Sequence, residues 1–583
     1  MYSLFQVKKR TGTYSDTIEA FGLANLLNEL QSRLNLPRPK LLIEDKGLYY
    51  EIISKPEITS EDIFRLGYFP FFQYVARQST ETFEEDYFDY PLQRKYKKER
   101  QEFIQKAYKE FSGKEKAQLL RKRLNKIDQI YSEEKHINPE LDVYSQIVTN
   151  NNFTGFDKLY KNISLNKEKF PKILKAILDY YSNNEVKLTS KVLNSFNESV
   201  TALQIYNPTT GKGQNKGKAR GASAGPVKLS WIGETMKISG ALSNMLCQLV
   251  KVGSSYDLKV VVPDFKKAEY SKQKQITLGF KKNIKGNTPL KVDILNLLIV
   301  NKQLIENTDE YANFKAKNIL SGLLSAYQKD LGQNKAVVNI ARLQTPDFIE
   351  FNTEYEAKDW VNIIQEFINI VSGINEKDDA ATGAIEGLSF LRNFLTSTHF
   401  PSWEHFIFWY SDHTMSSLSK NKYTLQFKVI TLNKLFRNMT MNNLKLSEII
   451  DNEGFQKVAY AIRKSTVTLQ YTPKEQRKFE IRYGLAQMLQ NKSKSTSDLA
   501  DFIGEFIAIY NAETARYDEK TGNALRANVR ENELDQFYAL LDKYPSKVIG
   551  ALLASYGFAL TQKEASKEIG EVNPTDSETN EEL

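Results

Sequence analysis

From Leu499 onward, Phe502, Ile503, Phe506, Ile507 and Tyr510 recur three and four positions apart. That spacing puts their side chains on one face of an α-helix. Ser495-Thr496-Ser497-Asp498 supplies a capping-box-like start. Leu534, Phe537, Tyr538 and Leu541 repeat the pattern, and Pro545-Ser546 opens a further helix that Gly557 closes. Helices with one apolar face must bury it against each other, so residues 450–562 are predicted to form a compact helical bundle. Helix signals already dominate from about residue 355, and no solenoid-period repeat is present.

The rest of the chain reads as mixed. Leu41 to Ile53 is a hairpin candidate turning at Asp45-Lys46-Gly47, and Leu258–Val262 and Ala336–Ile340 have the β-branched content of strands. A helix is expected from Trp231, and Lys266, Lys267, Lys272 and Lys274 are expected on a loop after the strand. The fold class is therefore α+β, mostly helical, with small sheets in a mixed N-terminal body and a C-terminal helical bundle. The length of 583 residues suits several domains. The expected regions are 1–205, mixed α/β; 206–350, α+β with a Gly/Lys loop; 351–449, helical and aromatic-rich; 450–562, the bundle; and 563–583, a disordered acidic tail.

Charge excludes some classes and suggests others. The single cysteine, Cys247, excludes an internal disulfide and Cys-cluster metal sites, and suits a reducing compartment. The N-terminal residues lack the basic-then-apolar order of a secretory signal, and apolar runs fall far short of the ~18 residues of a membrane span. A cytoplasmic protein with no membrane partner is expected. The net charge of +9 is a remainder left by local excesses. Residues 94–126 hold thirteen basic and four acidic residues, 251–285 nine lysines and three acids, and 463–494 eight basic and two acidic residues. Acidic stretches at 81–90 and in the tail offset them. Alternating apolar residues make the 94–126 run an amphipathic helix with a solvated face, whereas three pooled basic blocks together suggest a polyanion partner.

The segment from Tyr206-Asn207-Pro208 to Gly225-Pro226 concentrates five glycines with Lys212, Lys216, Lys218 and Arg220, and contains no acid. Glycine lets a backbone approach phosphate closely, lysine supplies charge, and Gln214 and Asn215 carry groups that match base edges. It is not a P-loop, since only three residues separate Gly213 from Gly217-Lys218 and Ala219 replaces the hydroxyl. A dinucleotide fingerprint fails at Lys216. A flexible linker is the competing reading, but Asn-Pro at its start and four spaced cations favour a nucleic-acid-contacting loop.

No catalytic constellation assembles. His399, His405 and His413 lie close in sequence with Glu404 and Asp412, but their spacing gives no i, i+4 pair, and the aromatic neighbours point to helix packing. Cys247 sits in an apolar run that suits a buried thiol. The chain reads as a non-enzyme without cofactor or metal.

Residues 206–263 carry a resemblance. Tyr206-Asn207-Pro208, Gly211-Lys212-Gly213-x-Asn215-x-x-Lys218-Ala219, Trp231, Glu234-x-x-Lys237-x-x-Gly240 and Asp257-x-Lys259-x-Val261-x-Pro263 together resemble the large subunit of a type I CRISPR effector complex (Cascade), closest to the subtype I-A/I-B branch. The resemblance implies a non-catalytic subunit of an antiviral surveillance complex. Such a subunit contacts the 5′ handle of the guide RNA, reads the protospacer-adjacent motif (PAM) of target duplex DNA and promotes R-loop formation. It also helps recruit a helicase–nuclease or transposition machinery. The implied partners are guide RNA, target double-stranded DNA, the Cascade backbone and small subunits, and the downstream proteins. Carried onto this chain, the nucleic-acid contacts are Asn207, Lys212, Gln214, Asn215, Lys216, Lys218 and Arg220, with Lys266 and Lys267 alongside. Arg477, Lys478 and Arg482 would hold strand backbone in the bundle's basic part. The bundle resembles the separate small subunit of such complexes, and an internal start at Met439 or Met441 would release it intact, whereas Met488 would cut a helix. Two other classes compete: a general RNA- or DNA-binding scaffold outside CRISPR systems, and a nuclease or ATPase with a degenerate motif.

Overall fold

The computed structural model describes residues 1–76, 87–110, 118, 122–129, 154–182, 199–201, 205–208, 228–330, 335–376, 383–422, 424–437, 439–441, 444–522 and 524–561. Strand β1 (Tyr2–Lys8) and helix α1 (Tyr14–Arg33) precede the expected hairpin, β2 (Lys40–Asp45) and β3 (Tyr49–Ile58). The turn falls where the sequence put it. Gly47 takes φ +85°, and its N–H donates to Asp45 Oδ1 at 2.8 Å. β1 pairs with β3 and β3 with β2, both antiparallel, and Ile43 faces Ile52 across the hairpin.

The chain continues through α2 (Ser60–Arg65), β4 (Tyr74–Ala76), β5 (Tyr87–Asp89), α3 (Tyr90–Glu110), α4 (Thr154–Ser164) and α5 (Phe170–Ser182). Next come β6 (Ser199–Thr201), β7 (Lys228–Ser230), α6 (Trp231–Asn244), β8 (Leu246–Val252), β9 (Ser255–Phe265), β10 (Lys267–Glu269) and α7 (Tyr270–Lys282). β10 adds to the hairpin's free edge, giving the antiparallel order β1-β3-β2-β10. A second antiparallel sheet is built from β8, β9, β11 (Leu320–Asp330) and β12 (Lys335–Gln344), with β9 and β11 central. The valine run Val260–Val262 is buried in β9, as a strand covered on both faces requires.

These elements form one compact unit, residues 1–289 and 317–345. The second unit is residues 290–316 and 346–583. It holds α8 (Pro289–Glu306), α9 (Glu354–Gly373), α10 (Ala384–Ser397), α11 (Phe400–Ser419) and α12 (Val429–Arg437), then α13 (Glu453–Ser465), α14 (Leu485–Lys492), α15 (Thr496–Thr521), α16 (Glu531–Lys543) and α17 (Ser546–Gly557). The unit borders fall at 289/290, 316/317 and 345/346.

The fold is α+β and mostly helical, with the C-terminal part helical as expected. α15 starts at the cap Ser495, whose side chain accepts from the Asp498 N–H, and all six residues of its periodic stripe are buried. α17 is buried from Val548 to Gly557 and packs against α11, α13 and α14. The tail 563–583 and the acidic residues of 77–86 lie outside the described residues.

Candidate nucleic-acid interface

The residues that open the Gly/Lys segment form a buried stem. Ile205 and Tyr206 are buried, and Tyr14 Oη donates to the Ile205 carbonyl at 2.8 Å. Asn207 is 2% exposed. Its Nδ2 donates to both carboxylate oxygens of Glu234, at 3.1 and 3.0 Å. Its Oδ1 accepts from Lys237 Nζ at 2.7 Å and from Ser15 Oγ at 3.1 Å. Lys237 also meets Glu234 at 3.0 Å and Glu19 at 3.9 Å. Burial raises the Glu19 carboxyl above its ordinary range, against the opposing pull of Lys237 and the Tyr181 hydroxyl that donates to it at 3.0 Å. The expectation that Asn207 contacts nucleic acid is corrected here. Both ends of its amide are consumed inside the protein, since a buried amide must find partners and these lie within reach.

Glu234 and Lys237 stand one turn apart on α6, so both face Asn207 and α1. The helices touch backbone to backbone. A Cβ on Gly240 would lie 1.7 Å from the Ile18 carbonyl oxygen, and one on Gly22 would lie 1.8 Å from that of Met236. The spacing Glu234-x-x-Lys237-x-x-Gly240 is therefore a packing and anchoring device. On its C-terminal side the Gly/Lys segment is followed by β7, which pairs with β6 and runs directly into α6. Both ends are thus fixed at the start of the same helix. Lys212, Gln214, Asn215, Lys216, Lys218 and Arg220 themselves lie outside the described residues.

The basic block at 251–285 sorts into two groups. Lys259 is buried over the Tyr327 ring, and Lys281 donates to the Leu242 and Ser243 carbonyls at the C-terminal end of α6, where a cation offsets the helix dipole. Lys267, on β10, is exposed and 3.7 Å from Glu44. Lys266 is exposed just before it. Lys272 and Lys274, expected on a loop, lie on α7. The helix period is there in Tyr270, Gln273, Ile276, Thr277 and Phe280, all buried, but only three of the five are apolar or aromatic, which hid it. In the 94–126 run, α3 is a helix as expected, with Lys95–Glu99 and Lys98–Glu102 pairs along its exposed surface.

In the second unit the arginines turn inward. Arg477 donates to the carbonyls of Thr472 and Gln470, both at 2.9 Å. Arg482 pairs with Glu513 at 2.8 Å and lies over the Phe506 ring. Of these two expected strand contacts, Arg477 is committed to its own turn and Arg482 to α15, and only Lys478 of the three is exposed. The clamp's centre, Arg526, was not foreseen. Its guanidinium sits 3.6 Å from the Phe479 ring centroid and 4.0 Å from that of Tyr510, and it bonds Thr514 Oγ1, the Tyr510 carbonyl and Glu513. The only sequence signal was an arginine spaced from Phe479 by 47 residues, which no local pattern reveals.

Other candidates resolve as structure. Cys247 is buried on β8 opposite Val260, and burial pushes its thiol far up. His405 stacks on Phe390 and His413 on Trp409, and Trp403, two residues before His405, donates to Ser555 at 3.0 Å. Among the described residues no three His, Cys, Asp or Glu side chains gather as metal ligands, and no helix is long and apolar enough to cross a membrane. A cleft of about 600 Å³ in the second unit is lined by Phe351, Lys315, Glu350, Arg437 and Lys445, with Lys315 and Glu350 paired at 3.0 Å and Arg437 held by Asp451. No protein-family model matches the chain, and no curated protein matches it in sequence.

Proposed function

We propose that this chain is the non-catalytic large subunit of a type I CRISPR RNA-guided surveillance complex, acting in the cytoplasm. In this reading it contacts the guide RNA handle, recognises the PAM in target duplex DNA, promotes R-loop formation and helps recruit a downstream nuclease or transposition protein. The supporting observation is the stem. A buried Asn207–Glu234–Lys237 cluster and the β6–β7 pair fix both ends of a segment carrying Lys212, Lys216, Lys218 and Arg220. A cationic, glycine-rich segment held at a fixed base suits the reading of a short motif, because phosphate contacts set register while one or two polar side chains read base edges.

The test replaces Lys212, Lys216 and Lys218 with Ala and measures binding of the assembled complex to motif-bearing and scrambled duplexes. The expected result is weakened binding with a reduced preference for the motif. Unchanged affinity for both duplexes would sink the role of this segment.

A further inference from the structure

From Tyr270 to Val292 the chain contains no Asp or Glu. Most of that stretch is α7, whose inner side buries Tyr270, Ile276 and Phe280. Its outer side presents Lys274 and Lys282, with Lys285 just beyond its end and Lys266 just before β10, all four exposed. None of these four lysine side chains forms an ion pair among the described residues. Lys274 and Lys282 are eight residues apart, so they lie about 12 Å apart along the helix axis and about 80° apart around it. They therefore share one side.

We propose that α7 and its flanks form a phosphate-backbone surface for double-stranded DNA, built on Lys266, Lys274, Lys282 and Lys285. Charge complementarity identifies the occupant. About 12 Å of duplex axis carries roughly seven phosphate charges, a dense negative field to which an acid-free lysine stripe is complementary in sign. Lysine is depleted at protein–protein interfaces, which argues against an acidic protein. The aromatic residues of α7, Tyr270 and Phe280, are buried, so the stripe lacks the stacking platform that single strands require. Contacts made by lysine alone carry charge without base information, so this surface adds affinity and leaves sequence preference to other residues. α7 is fastened to α6 through Lys281 and the Thr277–Asn244 bond, and the Gly/Lys segment starts from the other end of α6. The inference rests on the nucleic-acid reading above and not on the assignment to a guide-RNA complex.

The experiment uses the full chain and a labelled duplex titrated across a salt series. Changing Lys266, Lys274, Lys282 and Lys285 together to Ala is expected to make the log affinity against log salt slope shallower by about 3–4, with affinity at least about tenfold lower at 0.1 M salt. The corresponding four Lys→Arg changes should restore both. Motif-bearing and scrambled duplexes should lose equally, whereas the Lys212, Lys216 and Lys218 variant alters their ratio. A slope that does not move overturns the proposal. Loss confined to a hairpin RNA, or competition by poly-glutamate as strong as by duplex, overturns the choice of partner. A wild-type complex that never distinguishes the two duplexes defeats the earlier reading while leaving this surface standing.

Discussion

Asn207 shows how a polar residue in a cation-rich segment is turned to structural use. It neutralises nothing, yet it bridges a carboxylate and an ammonium that would otherwise face each other with hydrogen-bonding capacity unmet. Asn207→Ala leaves Glu234 without two donors and Lys237 without an acceptor. The expected cost is about 1–3 kcal/mol, read as a lower midpoint in thermal or urea unfolding. An unchanged midpoint would mean that the amide is not the anchor. The sequence did mark Asn207, Glu234, Lys237 and Gly240 as belonging together. It could not say why, because the partners that explain them, Ser15, Ile18 and Glu19, lie near the other end of the first unit's chain.

At the scale of elements, what sequence reading recovers depends on whether burial is apolar. α15 was legible because its buried stripe of leucine, isoleucine, phenylalanine and tyrosine keeps helical spacing, and α17 because Pro545-Ser546 and Gly557 punctuate its ends. α7 was not, because glutamine and threonine occupy two of its inward positions. The residues from 472 to 484 carry short turns in place of a long element, and their placement is set by contacts with α15 that no local pattern encodes. Arg526 is the centre of those contacts. Arg526→Ala removes two ring contacts and the ion pair to Glu513, and is expected to cost about 2–4 kcal/mol. Amide exchange of residues 472–484 should rise with it. Arg526→Lys keeps the charge but not the flat stacking surface, and should fall between the two. Exchange that stays at the wild-type rate in the alanine variant would show that 472–484 is held by something else.

For the whole molecule, the two units are each made of two stretches of chain, and this limits where it divides. Met439 and Met441 precede α13–α17 but follow α11. A fragment starting at 439 therefore lacks Trp403, whose indole N–H reaches Ser555, and Phe408, which lies against Gly550 on α17. A fragment starting at 399 keeps both. The longer piece is expected to melt cooperatively and at a higher temperature. Equal melting of the two would mean that α17 does not need α11. The sequence located the helices of this bundle but not its edge, because a bundle's limits are set by which apolar faces meet, and α11 meets α17 across more than a hundred residues. The charge blocks were also only half legible. Pooling predicted cationic surface, yet Lys259, Arg477 and Arg482 spend their charge on partners inside their own units, and only coordinates separate these from the exposed lysines.

The interleaving of the units also sets an order of events at the ribosome. α8 is synthesised before residues 317–345, which complete the sheet of the first unit, and well before 346–583, which supply the rest of its own. It is buried along most of its length, from Val292 to Ile305. While the chain is growing, this apolar helix emerges tens of residues ahead of the partners that will cover it. At about 5–20 residues per second, α9 emerges only several seconds later. Sticky surface is exposed for that interval, so synthesis of this protein leaves α8 uncovered before either unit can close.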